Sequence, residues 1–258
     1  MEKETVIQLF TPGLDSYLGY HYLSKKYNVK RIYFKLKSRY TDNEIKILNN
    51  FYNDIYIYEN LNLSDIEHDD AYIPNRNLLM ATLASSLYPN ISKIFINGMK
   101  DDRVNDNRED VFNRLSIVVS MSMDKPIMIT SEFWNKEKSE MVSTFVIKNE
   151  PIIEHLATRT YSCFSKFFIY NKTRIYNGNP IDGKFNKNGR LKIYGCCSCP
   201  ACFRRFAALS NANIFIPFRN DNIVDGYRGD AINKNIHPFR YFSTLEYIRF
   251  LDFMKGVR

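Results

Sequence analysis

Four of the chain's five cysteines lie within seven residues, in Cys196-Cys197-Ser198-Cys199-Pro200-Ala201-Cys202, and the fifth is Cys163. Cys196, Cys199 and Cys202 form C-x2-C-x2-C, and Cys163 can supply a fourth thiolate, which completes the inventory of a tetrahedral zinc site. Cysteines three apart on a turn can converge on one metal, whereas disulfides among them would enclose very short, strained loops. A closed site of this kind fastens distant segments together and does no chemistry itself. Cys197 is left without a place in it, and free buried thiols are the alternative reading. Near the other end, Thr11-Pro12-Gly13-Leu14-Asp15-Ser16 sets a hydroxyl, a glycine, a carboxylate and a second hydroxyl in one turn. At a helix N-terminus such a turn presents amides and the positive end of the dipole to phosphate. It is not the P-loop, because no G-x4-G-K-[ST] is present. The plainer reading is a turn ahead of an Asp N-cap.

The surrounding pattern says what must hold these residues. Short apolar runs at residues 5–10, 31–36, 54–58, 93–98 and 126–129 read as strands. Helical segments at 15–26, 42–50, 77–87 and 108–123 fall between them. This alternation predicts an α/β fold, a doubly wound parallel sheet covered on both faces. Ligands of such sheets sit beyond the carboxyl ends of strands, where Thr11 to Ser16 lie. From about residue 136 the pattern changes. Helices are expected at 138–148, 203–210 and 244–255, and residues 171–189 read as irregular. The expected division is an α/β domain at 1–135 and a smaller helical, zinc-binding region with a C-terminal extension at 136–258.

The composition of the 258-residue chain, 45% hydrophobic and 15% aromatic, is that of a globular protein with a substantial core. A net charge of +8 permits polyanions or nucleotides as partners without choosing between them. No apolar run approaches the ~18 residues of a membrane span, so no membrane partner is expected. Met1-Glu2-Lys3-Glu4 leads straight into a strand, so no secretory signal is expected either, and thiol chemistry then fits a reducing cytoplasm.

Several short segments share one order with a known family. Thr11-Pro12-Gly13-Leu14-Asp15-Ser16 resembles the S-G-G-x-D-S pyrophosphate loop of ATP-pyrophosphatase (PP-loop) enzymes, with Pro12 in place of a glycine. Pro74-Asn75-Arg76-Asn77 resembles the P-x-R-N signature of 7-cyano-7-deazaguanine synthase. Gly98 with Asp102, then Asp106-Asn107-Arg108, resembles its G-x3-D loop and D-x-R segment. Thr130 and Lys138-Ser139-Glu140-Met141 look like its T-P-L…K-x-E-I element, with Ser131 where proline is usual. Ser162-Cys163 and the cysteine cluster ending in Arg205 match its zinc element, with Cys197 in place of a glycine. The resemblance covers roughly residues 5 to 210, and its most specific part is C-x2-C-x2-C-x2-R.

The resemblance implies an adenine nucleotide alpha hydrolase-like fold, makes residues 1–135 the PP-loop ATP-binding domain, and implies a ligase that turns 7-carboxy-7-deazaguanine into the nitrile with ATP and ammonia. It implies phosphate binding by Thr11, Gly13, Leu14, Asp15 and Ser16, with Mg2+ bridging phosphate oxygens. Asp15, Ser16, Arg76 and Lys138 would be catalytic, the cations offsetting charge on phosphate or on the attacked carboxylate. Asp102, Asp106 and Arg108 would recognise the guanine-like base. Structural Zn2+ would sit on Cys163, Cys196, Cys199 and Cys202. The product would serve base modification of tRNA or DNA, as in queuosine biosynthesis. Two other classes stay open: an adenylating relative acting on a protein or nucleic acid in a viral or defence setting, and a non-catalytic nucleotide- or RNA-binding module. Interleaved aromatic and basic residues at 215–219 and 227–230 leave direct nucleic-acid contact, a packed cap and a homodimer surface open. His68, His155 and His237 read as polar-loop residues, and His21 as packing; none is assigned to the metal.

Overall fold

The computed structural model describes residues 2–69, 71–100, 102, 104–146, 155, 156, 159–163, 167–170, 173–176, 179–181 and 199–212. Cys196, Cys197, His237, the extension beyond residue 212 and its expected helix at 244–255 lie outside the described residues.

Five parallel strands, β1 (Thr5–Leu9), β2 (Asn28–Phe34), β3 (Ile55–Tyr58), β4 (Lys93–Phe95) and β5 (Met128–Thr130), form a sheet in the order β3-β2-β1-β4-β5. Helices α1 (Leu14–Lys26), α2 (Thr41–Phe51), α3 (Arg76–Leu87) and α4 (Glu109–Ser122) connect them in turn. Strand residues alternate between the two faces, as the two-residue period requires. Ile7 and Leu9 of β1 join Ile32, Phe34, Ile94 and Ile129 in a cluster with Ala81 and Ala84 of α3 and Phe112 and Val119 of α4. On the other face Val6 packs with Leu23 of α1 and Phe95, and Phe10 with Tyr33 and Leu48 of α2. Both faces are therefore covered, as the near-continuous apolar strands predict. The order reverses between β1, paired with β2 on one side, and β4 on the other. The crevice at that switch is where a doubly wound sheet holds its ligand.

Beyond the sheet come α5 (Lys138–Val146) and α6 (Pro200–Asn211). The apolar cluster of Leu14, Tyr17 and Leu18 on α1 continues through Met141, Val142 and Phe145 on α5 to Ala208 and Leu209 on α6. The architecture changes near the expected boundary at residue 135, while packing runs across it. Helix α6 starts three residues earlier than the sequence pattern suggests, at Pro200, where proline is tolerated in a first turn because its missing N–H has no helical partner.

Two expectations are corrected. Residues 171–189 read as irregular, but β6 (Phe167–Tyr170), β7 (Thr173–Tyr176) and β8 (Asn179–Ile181) make a second, antiparallel sheet in the order β6-β7-β8. The Asn, Lys and Gly that dominate the composition there hide the strand signal, although β6 and most of β7 are aromatic and β-branched. His155 is also not in a loop: it lies in a helical turn, and its Nδ1 is 3.1 Å from the Tyr17 hydroxyl. His21 packs edge-on against Tyr17 and Tyr20 as expected, and burial followed by nearby positive charge pulls it down to about 4.

Candidate active site

The turn from Thr11 to Ser16 links β1 to α1, and the network around Ser16 shapes it. Ser16 Oγ accepts from the Thr11 amide at 3.2 Å and from Asn97 Nδ2 at 3.1 Å, and lies 3.3 Å from Thr11 Oγ1. Asn97, just past β4, also donates to the Leu9 carbonyl, and its Oδ1 accepts from Gln8 Nε2, which donates as well to the Ser16 carbonyl. A buried glutamine in the central strand therefore ties the start of α1 to the end of β4. Gly19 makes the approach feasible, since a Cβ there would sit 2.3 Å from Asn97 Oδ1. Because α1 begins at Leu14, the amides of Leu14, Asp15 and Ser16 have no acceptor within the helix and are available to an anion. Pro12 contributes no amide. Its carbonyl accepts from the Tyr161 amide at 2.6 Å and so joins the turn to the segment leading to Cys163.

This turn forms one wall of a cavity of about 260 Å³. Lys138, the first residue of α5, places Nζ 2.8 Å from Asp15 Oδ2, and Asp15 Oδ1 is enclosed without a hydrogen-bond partner. Arg76 Nη1 donates to the Tyr40 hydroxyl at 3.0 Å, also on the cavity wall. The four expected catalytic residues, Asp15, Ser16, Arg76 and Lys138, thus share one cavity with Thr11, Gly13 and Leu14.

The expected base-recognition trio is not brought together there. Asp102 lines the cavity, but its Oδ2 accepts from the Met99 amide at 3.1 Å and from Asn107 Nδ2 at 2.6 Å. Asp106 is buried, and its Oδ2 accepts from the Asn77 amide at 3.1 Å. Asn77 is in the first turn of α3, whose preceding residue, Asn75, offers no side-chain cap and sits at φ 55°. The Asp106 carboxylate is that helix's cap from a distance, with charge matched to the positive end of the dipole. Arg108 is exposed and forks onto Asp110 at 3.0 and 3.1 Å, away from the cavity. Ser131, where proline is usual, donates from its hydroxyl to the Gly98 carbonyl at 2.7 Å, which fixes the turn after β5.

Sequence reasoning missed Gln8, Asn97, Tyr40, Glu44 and Arg204. Only Asn97 had a signal, a polar residue at the end of a strand beside the switch point. Glu44 of α2 lines the cavity and accepts from the Tyr33 hydroxyl at 2.7 Å. Burial pushes its carboxyl up to about 7, against the Tyr33 bond and the Arg76 charge, which both favour ionisation. The fold therefore keeps a proton on Glu44 where the unfolded chain, near 4.5, has released it. Stability from this group falls as pH rises from about 4.5 to about 7 and does not return above that. Urea unfolding of the nucleotide-free protein tests this. Glu44→Gln should match the parent near pH 4 and exceed it by about 3 kcal/mol near pH 8; parallel profiles would show that Glu44 is not held protonated.

The cysteine site borders the same cavity. The sulfurs of Cys163, Cys199 and Cys202 all lie within 4.8 Å of one another, and those of Cys163 and Cys199 are 3.8 Å apart. Four sulfurs about 2.3 Å from one tetrahedral ion stand about 3.8 Å apart, so the spacing suits a single metal ion. Thiolates around an iron–sulfur cube stand farther apart, because the cube lies between them. The three thiols are free of disulfides. Arg205 of α6 donates to the carbonyls of Thr160 and Leu156, which clamps the helix to the segment carrying Cys163. Cys163 and Ala201 line the cavity with the phosphate-type turn, so the turn and the thiol cluster stand on one pocket.

A doubly wound sheet whose switch point carries a turn with open helix-start amides, beside a lysine and an arginine, has the build of an ATP-using, adenylating enzyme of the PP-loop class. The family model for queuosine biosynthesis protein QueC matches residues 53–213, and the chain belongs to that family. The fold is similar to that of U34-tRNA thiolase NcsA from Methanococcus maripaludis with its [4Fe-4S] cluster, at 11% identity and a TM-score of 0.38, over 98% of this chain and 74% of that one. It is also similar to a predicted subunit of tRNA methyltransferase from Methanocaldococcus jannaschii, at 18% identity and a TM-score of 0.37, over 54% of this chain and 74% of that one. No curated protein matches the sequence significantly. Among the described residues, no helix is long and apolar enough to cross a membrane.

Proposed function

We propose that the chain converts 7-carboxy-7-deazaguanine, ATP and ammonia to 7-cyano-7-deazaguanine, in a reducing cytoplasm. The observation that carries this reading is the single cavity bordered by the Thr11–Ser16 turn, Arg76, Lys138 and Cys163. It is large enough for part of a nucleotide beside a bicyclic acid, and its cations are spaced around it. A carboxylate resists attack by ammonia until an oxygen becomes a leaving group. The substrate carboxylate attacks the α-phosphorus of ATP, and pyrophosphate departs. Ammonia then adds to the acyl carbon and AMP leaves with the oxygen, giving the amide. A second adenylation, on the amide oxygen, lets AMP depart again while nitrogen gives up its two protons, leaving the nitrile.

In this reading residues 1–135 are the nucleotide-binding domain. The free amides of Leu14, Asp15 and Ser16 hold phosphate oxygens, and Lys138 and Arg76 offset the charge that develops as pyrophosphate leaves. Asp15 is the residue placed to hold Mg2+, which when bound draws charge from phosphate oxygens. Zn2+ on Cys163, Cys196, Cys199 and Cys202 is structural. Base recognition falls to Asp102 together with cavity groups that the sequence did not single out, Glu44 foremost.

Incubation with the acid, ATP, Mg2+ and ammonia, followed by mass spectrometry, tests the reaction. AMP release that depends on the acid and yields the nitrile is expected. ATP consumption that ignores the acid but responds to a protein or nucleic acid would transfer the same chemistry to another acceptor. Tight ATP binding without turnover would make the chain a binding module.

A further inference from the structure

Arg204 and Arg205 are neighbours on α6 with different surroundings. Arg205 is buried and saturated by the carbonyls of Thr160 and Leu156, a structural clamp. Arg204 lines the cavity, and its Nη2 is enclosed with no hydrogen-bond partner. An enclosed guanidinium nitrogen without an acceptor costs free energy, and such a group in a cavity calls for an anion. The other cations of that cavity have partners: Lys138 faces Asp15, and Arg76 donates to Tyr40.

The Thr11–Ser16 turn, which borders the same cavity, is short of one donor. Pro12 gives the phosphate-type turn one amide fewer than a glycine would. The turn and α6 are also mechanically joined. The Pro12 carbonyl holds the Tyr161 amide, and Arg205 clamps α6 onto the residues just before it. A donor on α6 is therefore fixed relative to the place where the amide is missing.

We propose that Arg204 is an anion-binding residue that grips the polyphosphate of the nucleotide and stands in for the amide that Pro12 removes. The inference rests on the reading of the cavity as an ATP site. Guanidinium meets phosphate with two parallel charge-assisted bonds, which replaces one weak amide contact with a stronger one. It also makes Arg204 and position 12 energetically coupled, since each covers what the other lacks.

Calorimetric titration of the metal-loaded protein with ATP, inorganic pyrophosphate and AMP tests this. Arg204→Gln should weaken ATP and pyrophosphate about 10- to 100-fold and AMP less than about 3-fold. Arg204→Lys, which keeps the charge, should retain most of the binding. Pro12→Gly, which adds an amide to the turn, should raise ATP and pyrophosphate affinity more in the Arg204→Gln background than in the parent, a non-additivity that a merely structural role would not produce. Unchanged ATP and pyrophosphate binding in Arg204→Gln, beside a parent that binds both, would overturn this inference alone. An equal loss for AMP, or loss of the metal, would make Arg204 a structural support, and selective loss of the deazaguanine acid would make its partner the substrate carboxylate. A parent that binds neither ATP nor pyrophosphate would remove the ATP site and this inference with it.

Discussion

If the proposed reaction is the right one, Asp15→Ala should lower acid-dependent AMP release about 10³-fold, with little change in unfolding midpoint. The asymmetry follows from what each carboxylate oxygen does. Oδ2 lies 2.8 Å from Lys138 Nζ, and Oδ1 is enclosed without a partner. The pair contributes modestly to stability, because the Asp15 side chain is 27% exposed and such pairs give up to about 1 kcal/mol. Its contribution to the reaction is larger. Removing the carboxylate takes away the oxygen proposed to hold Mg2+ and also frees Lys138 to leave its position at the start of α5. Asp15→Asn keeps the shape and loses the charge, so it should fall nearly as far, which would separate charge from packing. Lys138→Met should also fall steeply. The double variant should be little worse than either single one, because residues that act as a unit lose their function once. Single-turnover rates give the cleanest comparison, and an Asp15→Ala rate within about 3-fold of the parent would remove the carboxylate from the reaction.

Much of this arrangement was legible in the sequence, for physical reasons that also mark where legibility ends. Runs such as Thr5-Val6-Ile7-Gln8-Leu9-Phe10 are apolar because both faces of a parallel strand are buried, and their alternation with helices leaves few topologies. The Thr11–Ser16 turn was found because ligand sites recur beyond strand ends. What could not be read was which way each polar side chain turns. Asp102, Asp106 and Arg108 are close in sequence and look like one constellation. In space Asp106 turns inward to cap α3 while Arg108, just before α4, turns outward to Asp110. Gln8 and Asn97 are ordinary polar residues until the sheet places them within 2.9 Å of each other across 89 positions. Glu44 sits beside Ile45 on an amphipathic helix, and periodicity alone assigns it to solvent. Local pattern carries the elements; the contacts that make a site are long-range.

Metal removal should produce the other large effect, and it should be local. About one zinc per chain is expected, lost in Cys202→Ser or on prolonged chelation. In isolated zinc-finger peptides the metal contributes about 10–16 kcal/mol, enough to decide whether they fold at all. Here the parallel sheet has its own core of Ile7, Ile32, Ile94 and Ile129, so it should survive. Helix α6 is held otherwise by Arg205 and by Ala208 and Leu209 against α1 and α5. Without the proposed metal, Cys163 and Cys199, 3.8 Å apart, should lose the ion between them, and residues 159–163 should loosen with α6. That segment includes the Tyr161 amide bonded to Pro12, so the disturbance reaches the phosphate turn through one hydrogen bond. Hydrogen exchange should therefore show lost protection at Tyr161 and along α6, with β1, β2 and β4 unchanged, and ATP affinity reduced by about 10-fold or more. Global loss of protection would mean that the metal supports the whole fold, and full protection at Tyr161 would mean that the thiol cluster and the turn are not mechanically linked.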